Sequence, residues 1–286
     1  MATVTTAAMT LATALDESLT KILVPNVVRD RLRADRVFSS LSVRLVRTVE
    51  IVSIAKLAGF ETLLFDLEHS SLSLETTAQL SQAALLAGIC PLVRVPYNSS
   101  EWISRVLDAG AQGVVVPHIK TVQDVKNAVN WSRFYPRGSR SVTAGLPHFA
   151  FRHVPLAEAN EACNESTIVI PMIETREALD IVDDIAAVPG IDVLLIGTND
   201  LTVELGIPGQ YDDPKIEAAY MKVIAAASKH GVAVGVGGLH SRMDLVERFL
   251  GLGARYVMAG TDQPLLQAGC VANHKIMEAI CARMEK

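Results

Sequence analysis

Four apolar runs in this chain end abruptly in groups that move protons or bind cations. Leu63-Leu64-Phe65 leads into Asp66-Leu67-Glu68-His69, and Pro91-Leu92-Val93 into Arg94. Ile168-Val169-Ile170-Pro171-Met172-Ile173 leads into Glu174, and Val193-Leu194-Leu195-Ile196 into Gly197-Thr198-Asn199-Asp200. Short apolar runs bounded by glycine, serine or charge read as buried strands. Such strands exclude charge along their length, because an unpaired buried ion is costly. Charges gathered at one end therefore mark the end that opens into a pocket.

Glu174 and Asp200 end consecutive runs. Two carboxylates about 4 Å apart repel by roughly 4 kcal/mol at an effective dielectric of about 20. A cation removes that cost, and two carboxylates with water and substrate oxygens suit Mg²⁺, with Mn²⁺ or Co²⁺ as alternatives. The bland alternative is two separate surface carboxylates. Arg94 offers a guanidinium that can clamp a substrate carboxylate or stabilise an enolate oxygen; its alternative is a structural ion pair with Glu68 or Asp66. His69 is a candidate base, with Asp66 three residues earlier to fix its tautomer. Its alternative is a cap on the helix that follows. The remaining histidines read as structural, with His118, just after Pro117 at another strand end, the next candidate.

These tips need elements to hold them. Strands are expected near 37–43, 62–67, 90–95, 113–117, 167–173, 193–196, 233–236 and 256–259. Helices are expected over 27–33 (capped by Asn26), 49–58, 74–87, 102–109, 122–131, 176–187, 214–230, 242–252 and 272–284, with a further short one over 11–23. Gly59, Gly88, Gly110, Gly190, Gly231 and Gly253 sit where helices should stop. Continuous apolar strands alternating with helices argue for a parallel sheet covered on its outer face, and eight such units for a closed TIM (β/α)₈ barrel. Gly235-Val236-Gly237-Gly238 lacks the spacing of a dinucleotide fingerprint. The unusually long connection between the fourth and fifth strands is expected to be a substrate lid or a subunit contact on the C-terminal face.

A length of 286 residues suits a single barrel, with residues 1–25 as an N-terminal extension and 26–286 as the catalytic domain. The net charge of -5 gives no nucleic-acid footprint. Cys90, Cys163, Cys270 and Cys281 lack metal spacing, which points to a reducing compartment without disulfides. No run approaches the length of a membrane span, and the first residues carry no basic leader, so a soluble cytoplasmic protein is expected.

The chain resembles the class II, metal-dependent pyruvate aldolases that cleave 2,4-dihydroxyhept-2-ene-1,7-dioate, and their relative macrophomate synthase. The matching stretches are Ala58-Gly59-Phe60 through Phe65-Asp66-Leu67-Glu68-His69, Val93-Arg94-Val95-Pro96, Leu107-Asp108-Ala109-Gly110-Ala111-Gln112-Gly113, Tyr135-Pro136-Arg137-Gly138-Ser139-Arg140, Ile173-Glu174-Thr175 and Ile196-Gly197-Thr198-Asn199-Asp200-Leu201. The resemblance implies a carbon–carbon lyase that forms or cleaves 4-hydroxy-2-oxo acids through a pyruvate enolate. It implies Glu174 and Asp200 as metal ligands and His69, supported by Asp66, as the catalytic histidine. Arg94 would contact the enolate, and Gly197, Thr198 and Asn199 would border the substrate. It also implies a homo-oligomer, a hexamer or trimer of dimers, exchanging the last helix. Met172 stands where the family usually has Gln, and Pro171-Met172-Ile173-Glu174-Thr175 is similar to the citrate lyase β-subunit. Those departures leave open an oxaloacetate decarboxylase of the macrophomate synthase type, a citramalyl-type acyl-CoA lyase, and a catalytically inactive binding barrel.

Overall fold

The computed structural model describes residues 25–285. Eight parallel strands close into a barrel in sequence order: β1 (Phe38–Val43), β2 (Thr62–Asp66), β3 (Cys90–Arg94), β4 (Gly113–Val116), β5 (Ile168–Ile173), β6 (Val193–Gly197), β7 (Ala233–Gly237) and β8 (Tyr256–Thr261). The expected (β/α)₈ architecture is therefore the observed one. The strands are mostly apolar on both faces, so both faces must be covered. One face packs inside the barrel, where Phe38, Leu64, Leu92, Val115, Ile170, Leu195 and Tyr256 form one cluster. The other packs against the outer helices, in a larger cluster that includes Leu63, Phe65, Val93, Val114, Val169 and Leu194.

Helix α1 (Val27–Arg33) plugs the N-terminal face. Asn26 caps it, accepting from the N–H of Val28 and Arg29, and its amide donates to the carbonyls of Ser166 at 2.7 Å and Gln112 at 3.3 Å. The fully buried Val28 joins the interior cluster. The outer layer is α2 (Glu50–Leu57), α3 (Leu74–Ala87), α4 (Ser100–Asp108), α5 (Val122–Ser132), α6 (Leu156–Ser166), α7 (Arg176–Asp180), α8 (Val182–Ala186), α9 (Thr198–Glu204), α10 (Pro214–Lys229), α11 (Met243–Leu252) and α12 (Asp262–Met284). Helix α3 shows the local logic. Ser73 accepts from the Thr76 N–H at its start, and Gly88 ends it at φ 68°, a conformation that costs glycine little.

Several expectations change. The stretch 176–187 is two short helices meeting at Ile181. The last helix begins at Asp262, ten residues before the expected 272. The short helix expected over 11–23 lies outside the described residues. The long connection is not a lid. It follows α5 and precedes β5, so it lies on the N-terminal face, away from the strand tips. A 3₁₀ turn (Pro147–Phe149) and α6 build it around Phe134, Leu146 and Phe149. Arg133 donates to the Thr167 carbonyl at 2.8 Å, and His148 Nε2 contacts the Ala111 carbonyl at 2.9 Å. Both carbonyls stand just before strands, which fixes the insertion to the foot of the barrel. Among the described residues no helix is long and apolar enough to cross a membrane.

Candidate active site

Asp66 and Arg94 are register partners at the C-terminal ends of β2 and β3, so their side chains leave the sheet together. Arg94 donates from Nε to Asp66 Oδ1 at 2.9 Å and from Nη2 to Oδ2 at 2.5 Å, a two-pronged ion pair. Neither residue is exposed beyond 4%. Arg44, one residue past β1, brings Nε within 2.6 Å of the same Oδ2. Burial alone would push the Asp66 carboxyl up; the Arg94 bond and the Arg94 and Arg44 charges outweigh it and hold the carboxyl below its ordinary range. Asp66 Oδ1 also accepts the backbone N–H of Glu68 at 3.1 Å and of His69 at 3.2 Å.

The expected Asp66–imidazole contact is thereby corrected. The Asp66 carboxylate is filled by two guanidiniums and two backbone donors, and it orders the turn that carries His69 rather than the ring itself. The imidazole is 52% exposed, with Nε2 3.7 Å from Glu68 Oε2.

Glu174 follows β5 and is 2% exposed. The register of β5 on β6, Ile173 opposite Ile196, sets it beside Gly197. A Cβ on Gly197 would come within 2.7 Å of Glu174 Oε2, so this position must be glycine for the carboxylate to lie there. Glu174 Oε1 accepts the backbone N–H of His118 at 2.6 Å. Burial first, then the charges of Asp200 and Glu68, push the Glu174 carboxyl above its ordinary range, with the His118 N–H and ring charge opposing. Asp200, read from sequence as a strand tip, instead lies in the first turn of α9 and is exposed, because β6 stops at Gly197 and the helix starts at once.

Glu68 and His118 complete the site. Glu68 joins Arg94 Nη1 at 3.1 Å and His118 Nε2 at 2.7 Å, and its Oε2 is buried without an aligned hydrogen bond. His118, at φ 57° just past β4, places its ring between Glu68 and Glu174, with Nδ1 3.4 Å from Glu174 Oε1. His118 is the next candidate that the sequence offers, at the end of the run Val114-Val115-Val116-Pro117, whereas Glu68 shares a turn with Asp66 and does not stand out.

Among the described residues no group of three or more His, Cys, Asp or Glu side chains is placed to hold a metal ion by itself. The donor set nonetheless fits a hard divalent cation that keeps most of its water. The Asp200 charge helps to raise the Glu174 carboxyl, and Glu68 adds a buried Oε2 whose neighbour is the Arg94 guanidinium.

A cavity of about 180 Å³ opens at this end of the barrel. Its walls include Arg44, His69, Arg94, Gly197, Thr198, Asn199 and Asp200, with Met172 and Met258 also facing it. Asp66 and Glu174 lie behind that wall. Thr198 is held by a 2.7 Å contact to the buried phenol of Tyr220, and Asn199 accepts from Tyr211 at 2.7 Å.

Residues 46–268 match the model of the HpcH/HpaI aldolase/citrate lyase family. The chain belongs to that family. The HpcH/HpaI fold and class are shared by close relatives. The 4-hydroxy-4-methyl-2-oxoglutarate aldolase of Hapsidospora irregularis is 38% identical over 86% of this chain and 92% of its own. The 4-hydroxy-2-oxo-heptane-1,7-dioate aldolase of Salmonella typhimurium is 33% identical over the same share of each. The crystal structure of an HpcH/HpaI aldolase from Desulfitobacterium hafniense superposes with a TM-score of 0.80 at 28% identity, covering 87% of this chain and 96% of the other. The enzyme class expected from sequence, an aldolase-type carbon–carbon lyase, is that of the HpcH/HpaI family.

Proposed function

We propose that this HpcH/HpaI enzyme cleaves and forms short 4-hydroxy-2-oxo diacids, those substituted at C4 included, with pyruvate as one product. The observation that carries the proposal is the joining of the Asp66–Arg94 pair, His69 and Asp200 around one cavity backed by Glu174. The identity of about 38% to a 4-hydroxy-4-methyl-2-oxoglutarate aldolase supports the substrate class.

Glu174 and Asp200 would hold a divalent cation, Mg²⁺ by its oxygen donors, which supplies a Lewis acid for the 2-oxo acid. Arg94, anchored on Asp66 and beside Glu68, lines the cavity and turns its charge toward the C2 oxygen, where charge grows as the bond breaks. Gly197 and Thr198 line the cavity beside it and border the carboxylate. His69 takes the 4-hydroxyl proton. The C3–C4 bond then breaks, C4 becomes a carbonyl, and the bonding pair passes to the C2 oxygen as an enolate. Protonation at C3 yields pyruvate. The second reading, decarboxylation of oxaloacetate, uses the same Arg94 and carboxylates but needs no base.

Helix α12 is exposed from Gln263 onward, with Leu265, Leu266, Val271, Ile276, Met277 and Ile280 facing solvent. A helix so apolar needs a cover, and a second copy of the chain is the proposed one. A cytoplasmic setting is part of the same proposal, supported by free Cys90 and Cys163.

The test is a lactate dehydrogenase-coupled assay of pyruvate release from 4-hydroxy-4-methyl-2-oxoglutarate and 4-hydroxy-2-oxoheptanedioate, with and without EDTA. Metal-dependent release is expected. Release untouched by EDTA, or a borohydride-trapped pyruvate adduct, would remove the metal-enolate mechanism.

A further inference from the structure

The cavity contains a second guanidinium that the enolate half of the reaction does not use. Arg44 stands just beyond β1, its side chain 32% exposed. Its Nε lies 2.6 Å from Asp66 Oδ2, yet without the alignment of a hydrogen bond. Among the described residues no acceptor is bonded to its two terminal nitrogens. Its backbone is fixed tightly. The buried Asp262 carboxylate accepts the N–H of Arg44 at 3.0 Å, of Leu45 at 2.9 Å and of Val46 at 2.8 Å. Arg44 is thus tethered at both ends of its stem while its planar fork of donors remains free, the arrangement that suits a carboxylate.

Its place in the ring says which carboxylate. The strands close in sequence order, so the β1 tip stands across the barrel from β5 and β6, which supply Glu174 and Asp200. A 2-oxo acid anchored at β5, β6 and Arg94 therefore extends its far end toward β1. The cavity of about 180 Å³ leaves room there for a short chain only. We propose that Arg44 binds the carboxylate carried by the acceptor half of the substrate, so that the enzyme selects short oxo-acid acceptors over neutral aldehydes. This rests on the aldolase function proposed above and assigns a specificity residue within it.

The experiment is steady-state addition of pyruvate to glyoxylate and to acetaldehyde, with wild type, Arg44→Gln and Arg44→Lys. The quantity read is the ratio of kcat/KM for the two acceptors. Wild type should favour glyoxylate. Arg44→Gln should lower the ratio by about 10- to 100-fold, the worth of a lost charge-assisted pair, and Arg44→Lys, which keeps the charge but not the fork, by less. A wild type without preference overturns the proposal, as does a ratio unchanged in Arg44→Gln, including the case in which both acceptors lose the same factor. If Arg44→Gln does not fold, the ratio in Arg44→Lys decides in the same sense. Failure of the underlying aldolase function looks different: wild type then gives no product with either acceptor and no exchange of pyruvate methyl protons in D₂O, which removes both proposals.

Discussion

The backbone N–H of His118 donates to Glu174 Oε1 over 2.6 Å, with His118 in the left-handed region at φ 57°. The turn after β4 thus braces the carboxylate that ends β5. A non-glycine residue in that region carries a strain of about 1–3 kcal/mol, worst for β-branched side chains. His118→Val should therefore lower the thermal midpoint by several degrees, at roughly 2–4 °C per kcal/mol, while His118→Gly keeps the midpoint close to wild type. Scanning calorimetry on the two variants checks this. Equal midpoints would show that the turn is not strained.

Glu174→Gln and Asp200→Asn each replace an anionic oxygen by a neutral one. Each should weaken Mg²⁺ or Mn²⁺ by at least about 10²-fold, beyond the loss caused by an outer-shell change. Titration calorimetry with the metal alone reads this without turnover. Unchanged affinity in either variant would take that residue out of the metal site.

The Asp66–Arg94 pair has a pH signature. The folded Asp66 carboxyl is held below its ordinary value of 3.8. Its contribution is present in full above that value and is lost as pH falls through the lower folded one. Asp66→Asn should cost up to about 3–5 kcal/mol at pH 7, because it takes the two-pronged charged partner from a buried guanidinium and leaves Glu68 beside it. The gap between wild type and variant should narrow as pH drops below 3.8. Urea unfolding at a series of pH values measures it; a gap independent of pH would mean that the pair does not stabilise the fold through its charge.

Much of this site was legible because buried strands exclude charge. Asp66, Arg94 and Glu174 each follow an unbroken apolar run, and the barrel brings the ends of such runs to one face. Arg44 follows a run too, but Ser39, Ser40 and Ser42 interrupt it, and its neighbours Leu45 and Val46 hide the tip. Glu68 and His118 act through contacts across strands, which spacing along one strand does not carry. The pairing of Asp66 with Arg94 instead of the His69 ring depends on register, Asp66 opposite Arg94, and register is a property of the closed sheet. The misplaced lid has a topological cause: 133–155 follows a helix rather than a strand, and so belongs to the opposite face.

Helix α12 gives a test of assembly. Ile276, Met277 and Ile280 are 60%, 49% and 38% exposed on a helix that is exposed from Gln263 onward. Light scattering should give a mass above one chain. Ile276→Asp with Ile280→Asp should reduce it, since each charge would have to be buried at the contact. A monomeric wild type would overturn the oligomer.

The last expectation separates enolate formation from aldol turnover. Removing a proton from pyruvate's methyl group needs stabilisation of the C2 oxygen, the role proposed for Arg94; aldol cleavage needs in addition a base for the 4-hydroxyl, the role proposed for His69. Arg94→Ala should therefore depress both exchange of pyruvate protons with D₂O and cleavage, and it also leaves Asp66 and Glu68 without their shared cation. His69→Ala should cut cleavage by about 10²–10⁴, the usual worth of a positioned acid–base group, with metal affinity retained. His69 lines the cavity and stays clear of Glu174, whereas His118 touches Glu174 and Glu68 directly. His118→Asn, which keeps a residue tolerant of the left-handed turn, should therefore disturb metal affinity as well as rate. Proton NMR of pyruvate in D₂O, the coupled cleavage assay and a metal titration on the same variants distinguish the two histidines. If His69→Ala cleaved within a few-fold of wild type while His118→Asn lost rate with metal affinity intact, the base would be His118.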